Sequence, residues 1–114
     1  MSHRRVELRS LAMHQEIARK LLNDPRPVLQ KARTNLDRWT ATAGRSAPYL
    51  EEWRRLLHLP AAELANLIVE DSERMTDLRQ SSPFAGVLTP RERWRILDAS
   101  TVGASDPGVG SDRR

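Results

Sequence analysis

Apolar residues recur at helical spacing along most of the chain. Near the N-terminus, Met13, Ile17 and Leu21 lie four residues apart, which places them on one face of a helix. The next segment continues at steps of three and four residues, with apolar positions at Leu29, Ala32, Leu36, Trp39 and Ala43. Alternation with a period of two is not sustained, so the pattern does not indicate strands. It predicts an all-α protein.

Proline and capping residues divide this pattern into separate helices. Asp24 suits an N-cap and Pro25 the first turn of the second helix. The segment TPRE at 89–92 is a capping box, in which the threonine hydroxyl and the glutamate carboxylate each accept a backbone amide of the other residue. The helices are therefore predicted over 6–23, over 25–43, between Ser46 and Pro60, from Pro60 to the break at 70–72, over 72–80 and from Thr89 onward. We expect a compact bundle of five to six helices.

The composition changes near Ser100. Residues 101–114 contain three glycines and one proline and have almost nothing to bury, which is typical of a disordered segment. A length of 114 residues allows one small domain and no more. We therefore predict a single helical domain over residues 1–100, followed by a flexible, disordered C-terminal tail over residues 101–114.

Composition also excludes several kinds of site. The chain has no cysteine, which rules out disulfides, thiolate zinc sites, iron–sulfur clusters and a thiol nucleophile. No apolar run approaches the ~18 residues that span a bilayer, and the N-terminus does not lead into a signal-peptide core. We therefore expect no membrane association and a cytoplasmic location.

The residue types that carry catalysis or bind metals are not grouped in the sequence. The three histidines share no metal-ligand spacing. Adjacent carboxylates, as in Glu51-Glu52 and Glu70-Asp71, point about 100° apart on a helix and do not share a substrate. The sequence contains no glycine-rich phosphate loop and no nucleophile elbow. We expect neither an enzyme nor a bound cofactor or metal.

Charge is distributed unevenly along the chain. The formal net charge is +4, yet residues 1–60 hold twelve basic and six acidic residues, whereas residues 61–114 hold seven basic and nine acidic. Acidic residues concentrate around the fifth helix, at Glu70, Asp71, Glu73 and Asp77. Basic residues on the second helix are candidates for phosphate contacts, namely Arg26, Lys31, Arg33 and Arg38. The basic half leaves open a small nucleic-acid-binding regulator with operator DNA as its partner.

The longest uncharged loop covers residues 81–89 and contains Pro83, Phe84 and Leu88. A small protein rarely exposes so much apolar surface, so one interpretation is that the loop folds back over the core. The other is that the loop, with Trp94 and the neighbouring arginines, anchors a partner, because tryptophan and arginine are enriched at interface hot spots. Both interpretations remain open, although the stripe of the last helix predicts that Trp94 faces inward.

Three stretches of the sequence carry a resemblance to a known family. They are RSLxxH at 9–14 with IA at 17–18 and LxDP at 22–25, the helices around Trp39 and Trp53, and LRQSSPFAGVL at 78–88 followed by ERW at 92–94. Over residues 9–98 the chain resembles a group of small helical bacterial proteins encoded beside AbiEii-type nucleotidyltransferase toxins, as in MenAT-like toxin–antitoxin pairs.

The resemblance implies an antitoxin that binds and neutralises a cognate toxin. Its acidic segment would face an electropositive toxin cleft, and apolar anchors would supply buried area. The residues implied for partner binding are Glu70, Asp71, Glu73, Leu78, Arg79, Pro83, Phe84, Leu88, Arg93 and Trp94. Uncovered apolar stripes would also allow a homodimer. A binding affinity that falls steeply with salt concentration would indicate the nucleic-acid regulator and not the antitoxin.

Overall fold

The protein is described here by a computed structural model, which covers residues 2–43 and 47–104, with side chains over 5–42 and 47–99. These residues form six helices and no strand. The helices are α1 (Ser2–Asn23), α2 (Pro25–Ala43), α3 (Pro48–Leu56), α4 (Ala61–Leu67), α5 (Glu73–Arg79) and α6 (Pro90–Ala104). The prediction of an all-α bundle of five to six helices is therefore confirmed.

The helix boundaries follow the local signals in the sequence closely. Helix α2 begins at Pro25 and ends at Ala43, as predicted, and α1 begins four residues earlier than expected, at Ser2. The expected N-cap of α3, Ser46, lies outside the described residues. Ala47 occupies that position with an extended backbone and no side-chain cap, and Pro48 supplies the first turn.

Side chains cap the two helices that flank the 81–89 loop. Ser72 Oγ accepts a hydrogen bond from the Met75 amide at 3.2 Å and so caps α5. At α6 the Thr89 amide donates to Glu92 Oε1 at 2.8 Å, and the Glu92 amide donates to Thr89 Oγ1 at 3.1 Å. The predicted capping box is therefore confirmed. These contacts and a bond from Lys20 hold the pKa of Glu92 below its ordinary value.

Helix α1 lies at the centre of the bundle. It packs against α2, α4, α5 and α6, while α2 also packs against α3. The largest side chains that are fully buried come from all parts of the chain, namely Leu21, Leu36, Trp53, Leu64, Ile68, Met75 and Pro83. The amphipathic face of α1 therefore organises a single core to which every later element contributes.

The C-terminal prediction falls largely on residues that the structure does not describe. The backbone of residues 101–104 continues α6, and residues 105–114 of the predicted tail lie outside the described residues. Among the helices that are described, none is both long enough and apolar enough to cross a membrane.

Candidate partner-binding surface

The 81–89 loop folds back over the core. Pro83 is fully buried, and Phe84 and Leu88 are 3 % and 6 % exposed. The Phe84 ring meets Trp53 edge to face at a centroid distance of 5.7 Å and His14 at 6.1 Å. In this structure Pro83, Phe84 and Leu88 are therefore core residues and do not form an exposed apolar anchor. The large apolar surface of the loop covers the core instead.

A buried asparagine on α2 fastens this loop. Asn35 Nδ2 donates to the carbonyl oxygen of Pro83 at 2.8 Å and to that of Ala85 at 2.9 Å. Sequence reasoning missed Asn35, although its position was informative. It lies three residues after Ala32, on the stripe that helical spacing predicts to be buried. A buried amide satisfies loop carbonyls that would otherwise lack partners.

His14 supports the same loop from α1. Its Nδ1 lies 2.7 Å from the Ser10 carbonyl oxygen, so Nδ1 carries the proton and donates it. Its Nε2 lies 2.8 Å from Ser82 Oγ and accepts the hydroxyl proton, while Ser82 Oγ accepts from the Phe84 amide at 3.3 Å. Burial lowers the pKa of His14 to about 4, and the positive charge of Arg79 acts in the same direction. The ring is therefore neutral at pH 7.

Leu78 and Arg79 also have structural positions. Both are buried, and the Leu78 carbonyl oxygen accepts a hydrogen bond from Trp53 Nε1 at 3.1 Å. Arg79 Nη1 donates to the carbonyl oxygens of Ile68 and Glu70, each at 3.0 Å. Burial lowers the pKa of the Arg79 guanidinium, while the charges of Asp71 and Glu7 raise it. Leu78 and Arg79 therefore have structural roles, and Arg79 fastens the α4–α5 turn; their contact with a partner stays a prediction.

Three of the ten expected contact residues form an exposed acidic surface. They lie on the α4–α5 turn and in the first turn of α5, and we call Glu70, Asp71 and Glu73 the acidic edge. Asp77 on α5 is also exposed. The Ser72 hydroxyl donates to Glu70 Oε1 at 3.1 Å, which orients one carboxylate. These residues are available to a partner.

Trp94 is the most exposed large hydrophobic residue described, with 68 % of its surface accessible. The prediction that it faces inward is wrong, because α6 packs on the core through Ile96. Two residues correspond to roughly 200° of helical rotation, so Trp94 points away from that contact.

Exposed arginines flank Trp94 on the solvent side of α6. Arg91 precedes it by three residues, and Arg95 follows it directly. Helical spacing places these three side chains in one arc, which we call the α6 outer face. Arg93 is two residues from both Arg91 and Arg95, so it points away from this face, and it is also exposed. No ion pair joins any of these arginines to the side chains that the structure describes. Their charges are therefore available to a partner.

A groove of about 690 Å³ opens beside this helix, between α1, the 81–89 loop and the start of α6. Met13, Ile17, Phe84 and Leu88 form apolar parts of its lining. The charged residues that line it are Arg79 and Arg93, and no carboxylate of the described residues does so. We call it the loop groove.

The four basic residues proposed for nucleic-acid contacts do not form one face. Arg26 and Arg33 lie together beside Leu29 and Asp37. Lys31 lies on another side of α2, where its Cε is 3.6 Å from the position that a Cβ at Gly86 would occupy. Arg38 Nη2 donates to Asn35 Oδ1 at 2.8 Å. The predicted basic face of α2 is therefore not continuous, because Arg26 and Arg33 lie apart from Lys31 and Arg38.

Comparison with protein-family models, with curated proteins and with solved structures gave no match to this chain. Within the ranges that the structure describes, no group of three or more histidines and carboxylates is placed to hold a metal ion.

Proposed function

We propose that the protein is an antitoxin, which neutralises a nucleotidyltransferase-like toxin by direct, stoichiometric protein–protein contact. The observation that carries the binding role is the exposure of Trp94 between Arg91 and Arg95 on the α6 outer face. Tryptophan and arginine are the residue types most enriched among interface hot spots. The choice of an antitoxin comes from the resemblance of residues 9–98 to that family.

An exposed tryptophan is unfavourable for a helix that has no partner. Its large apolar surface contacts water in the free protein, and burying it in a complex recovers that free energy at roughly 25 cal/mol per Å². The core does not need this side chain, because α6 packs inward through Ile96. Trp94 therefore adds little to the stability of the free protein, and a contact with a partner would account for its presence.

The acidic edge gives the same proposal a second contact surface. A toxin that binds a nucleotide and tRNA needs an electropositive cleft, and an acidic surface is complementary to such a cleft. Electrostatic complementarity of this kind raises the rate of association and fixes orientation more than it raises affinity. The α6 outer face would then hold the complex through buried area.

Trp94→Ala is expected to weaken binding to the toxin by at least about 30-fold, the loss of a hot-spot contact of about 2 kcal/mol. The experiment uses the tagged full chain in 300 mM salt and mass spectrometry to find the co-eluting nucleotidyltransferase. The affinity of each variant for this protein and the rescue of growth are then measured. Tyr49→Ala is the matched control, because Tyr49 is an exposed aromatic residue on α3. Equal loss in both variants, or none, would contradict the role of Trp94.

Reversing the acidic edge is expected to slow association with the toxin by about tenfold at low salt. The variant is Glu70→Lys with Glu73→Lys, and the control is Glu51→Lys with Glu63→Lys, which changes the charge equally at exposed positions elsewhere. Stopped-flow association rates at two salt concentrations provide the measurement. Full neutralisation with an unchanged rate in the first variant would remove the acidic edge from the proposal.

The nucleic-acid regulator receives less support from the geometry. Its candidate residues lie on different sides of α2, so they do not follow one phosphate backbone. A complex dominated by phosphate contacts would weaken by about 10³ between 50 and 200 mM salt. A protein complex centred on Trp94 would persist at 300 mM salt, so the same affinity measurements separate the two functions.

A further inference from the structure

The loop groove combines an apolar lining with an excess of positive charge. Ile17, Phe84 and Leu88 are core residues whose surfaces border the groove. Its two charged lining residues are both arginines, and no described carboxylate lines it. Its volume of about 690 Å³ falls in the range of protein sites that enclose a ligand group.

The two arginines differ in what they offer an occupant. The buried Arg79 uses its guanidinium to hold backbone carbonyls of the α4–α5 turn, and the charges of Asp71 and Glu7 act on it, so it is not free to pair with an occupant. Arg93 is exposed at the rim and has no ion pair with the described side chains. His14, in the same lining, is neutral at pH 7. The groove is therefore positive, and Arg93 is the group that can pair with an incoming anion.

We propose that the loop groove binds a segment of the partner protein that presents one apolar side chain beside a carboxylate. The apolar side chain packs against the half-buried Met13 and the accessible edges of Ile17, Phe84 and Leu88, and the carboxylate pairs with Arg93. This inference rests on the proposed protein-binding function and identifies the chemistry of the partner segment. It also assigns the 81–89 loop a second role as one wall of a docking groove.

A protein segment fits these features better than the other large classes of partner. A nucleic acid presents a phosphate at every nucleotide and needs a series of cations, whereas the groove has a single unpaired arginine at its rim. A bilayer is flat on this scale and does not enter a concave groove. A peptide can place one apolar side chain in the groove and a neighbouring carboxylate at the rim.

The test uses a short blocked peptide with one phenylalanine flanked by glutamates. Calorimetry measures its affinity for the full chain, and amide chemical shifts locate its site. We expect shifts at Ile17, Phe84 and Leu88. Arg93→Ala should weaken binding about fivefold, the usual value of a partly exposed ion pair near 1 kcal/mol. Arg95→Ala, which removes an equal charge from the same helix outside the groove, should change affinity less than about twofold.

A second variant obstructs the groove without altering the core. Ala85 is exposed and lines the groove, so Ala85→Phe should abolish peptide binding and leave the thermal unfolding midpoint unchanged. The inference is overturned by absence of binding at millimolar peptide. It is also overturned by equal binding of a peptide with serine in place of phenylalanine, or by equal losses in Arg93→Ala and Arg95→Ala. Stronger binding of an oligonucleotide at the same residues would assign the groove to nucleic acid.

Failure of this inference is distinguishable from failure of the proposed function. If the toxin still binds Ala85→Phe and Arg93→Ala but not Trp94→Ala, the α6 outer face is the interface and the groove is not part of it. If the peptide binds as expected but no toxin is retained, the groove is a docking site and the antitoxin function is wrong.

Discussion

Phe84→Ala is expected to lower the free energy of unfolding by about 4 kcal/mol, in the range for truncating a buried phenylalanine. The substitution removes the edge-to-face contacts with Trp53 and His14 and leaves a cavity beneath the 81–89 loop. This loss is between about a quarter and about four fifths of the roughly 5–15 kcal/mol that stabilises a typical domain. Urea unfolding followed by circular dichroism measures the change.

The matched control for Phe84 is an exposed apolar residue. Leu22 is 61 % exposed on α1, so Leu22→Ala should change stability by less than about 0.5 kcal/mol. The result also tests the structural position of Phe84. A Phe84→Ala protein with unchanged stability and reduced toxin binding would restore the interpretation of Phe84 as a partner anchor.

Lowering the pH from 6.5 to about 4 is expected to remove about 3 kcal/mol of stability through His14. In the unfolded chain His14 binds a proton near its ordinary pKa of 6.5, whereas burial lowers the pKa in the folded protein to about 4. Between these values the unfolded state binds more protons, so acid favours unfolding. The stabilisation is complete above pH 6.5 and declines until the pH reaches about 4.

The contribution of His14 is isolated by comparing variants across that pH range. The free energy of unfolding of His14→Gln should depend much less on pH than that of the parent protein. The lowered pKa of Glu92 adds a loss of stability as the pH falls through that lowered value, and this loss is common to both proteins. His58→Gln, at an exposed histidine, should retain the parent pH dependence. Parallel curves for the parent protein and His14→Gln would show that His14 is accessible to protons when folded.

The fold could be predicted from the sequence because its signals are local. Asp24 and Pro25 mark the junction of α1 and α2, and the reciprocal contacts of Thr89 and Glu92 start α6 where the TPRE pattern places them. Each signal acts within one helical turn, so it does not depend on the remainder of the chain. The tertiary role of α1, which packs against four other helices, was not visible in this way.

The candidate site was harder to predict because the residues that contact one another there are far apart in the sequence. The bond between His14 and Ser82 joins residues 68 positions apart, and that between Asn35 and Pro83 joins residues 48 apart. Periodicity does not report which helix face receives a loop from elsewhere. In α6 the sequence WRIL is compatible with a buried stripe that contains Trp94 and with one that contains Ile96. The packing of α6 against α1 buries Ile96. Trp94 was therefore assigned to the wrong side.

The dependence of the core on the 81–89 loop has a consequence for biosynthesis. Chains emerge from the ribosome N-terminus first, so α1 and α2 are complete long before the residues that cover them have been translated. A nascent chain that ends before Ser82 lacks the hydroxyl that bonds His14 Nε2 and has no Phe84 to lie against Trp53. Its apolar surface is exposed to chaperones and to neighbouring nascent chains. Native packing thus waits until the 81–89 loop has been translated.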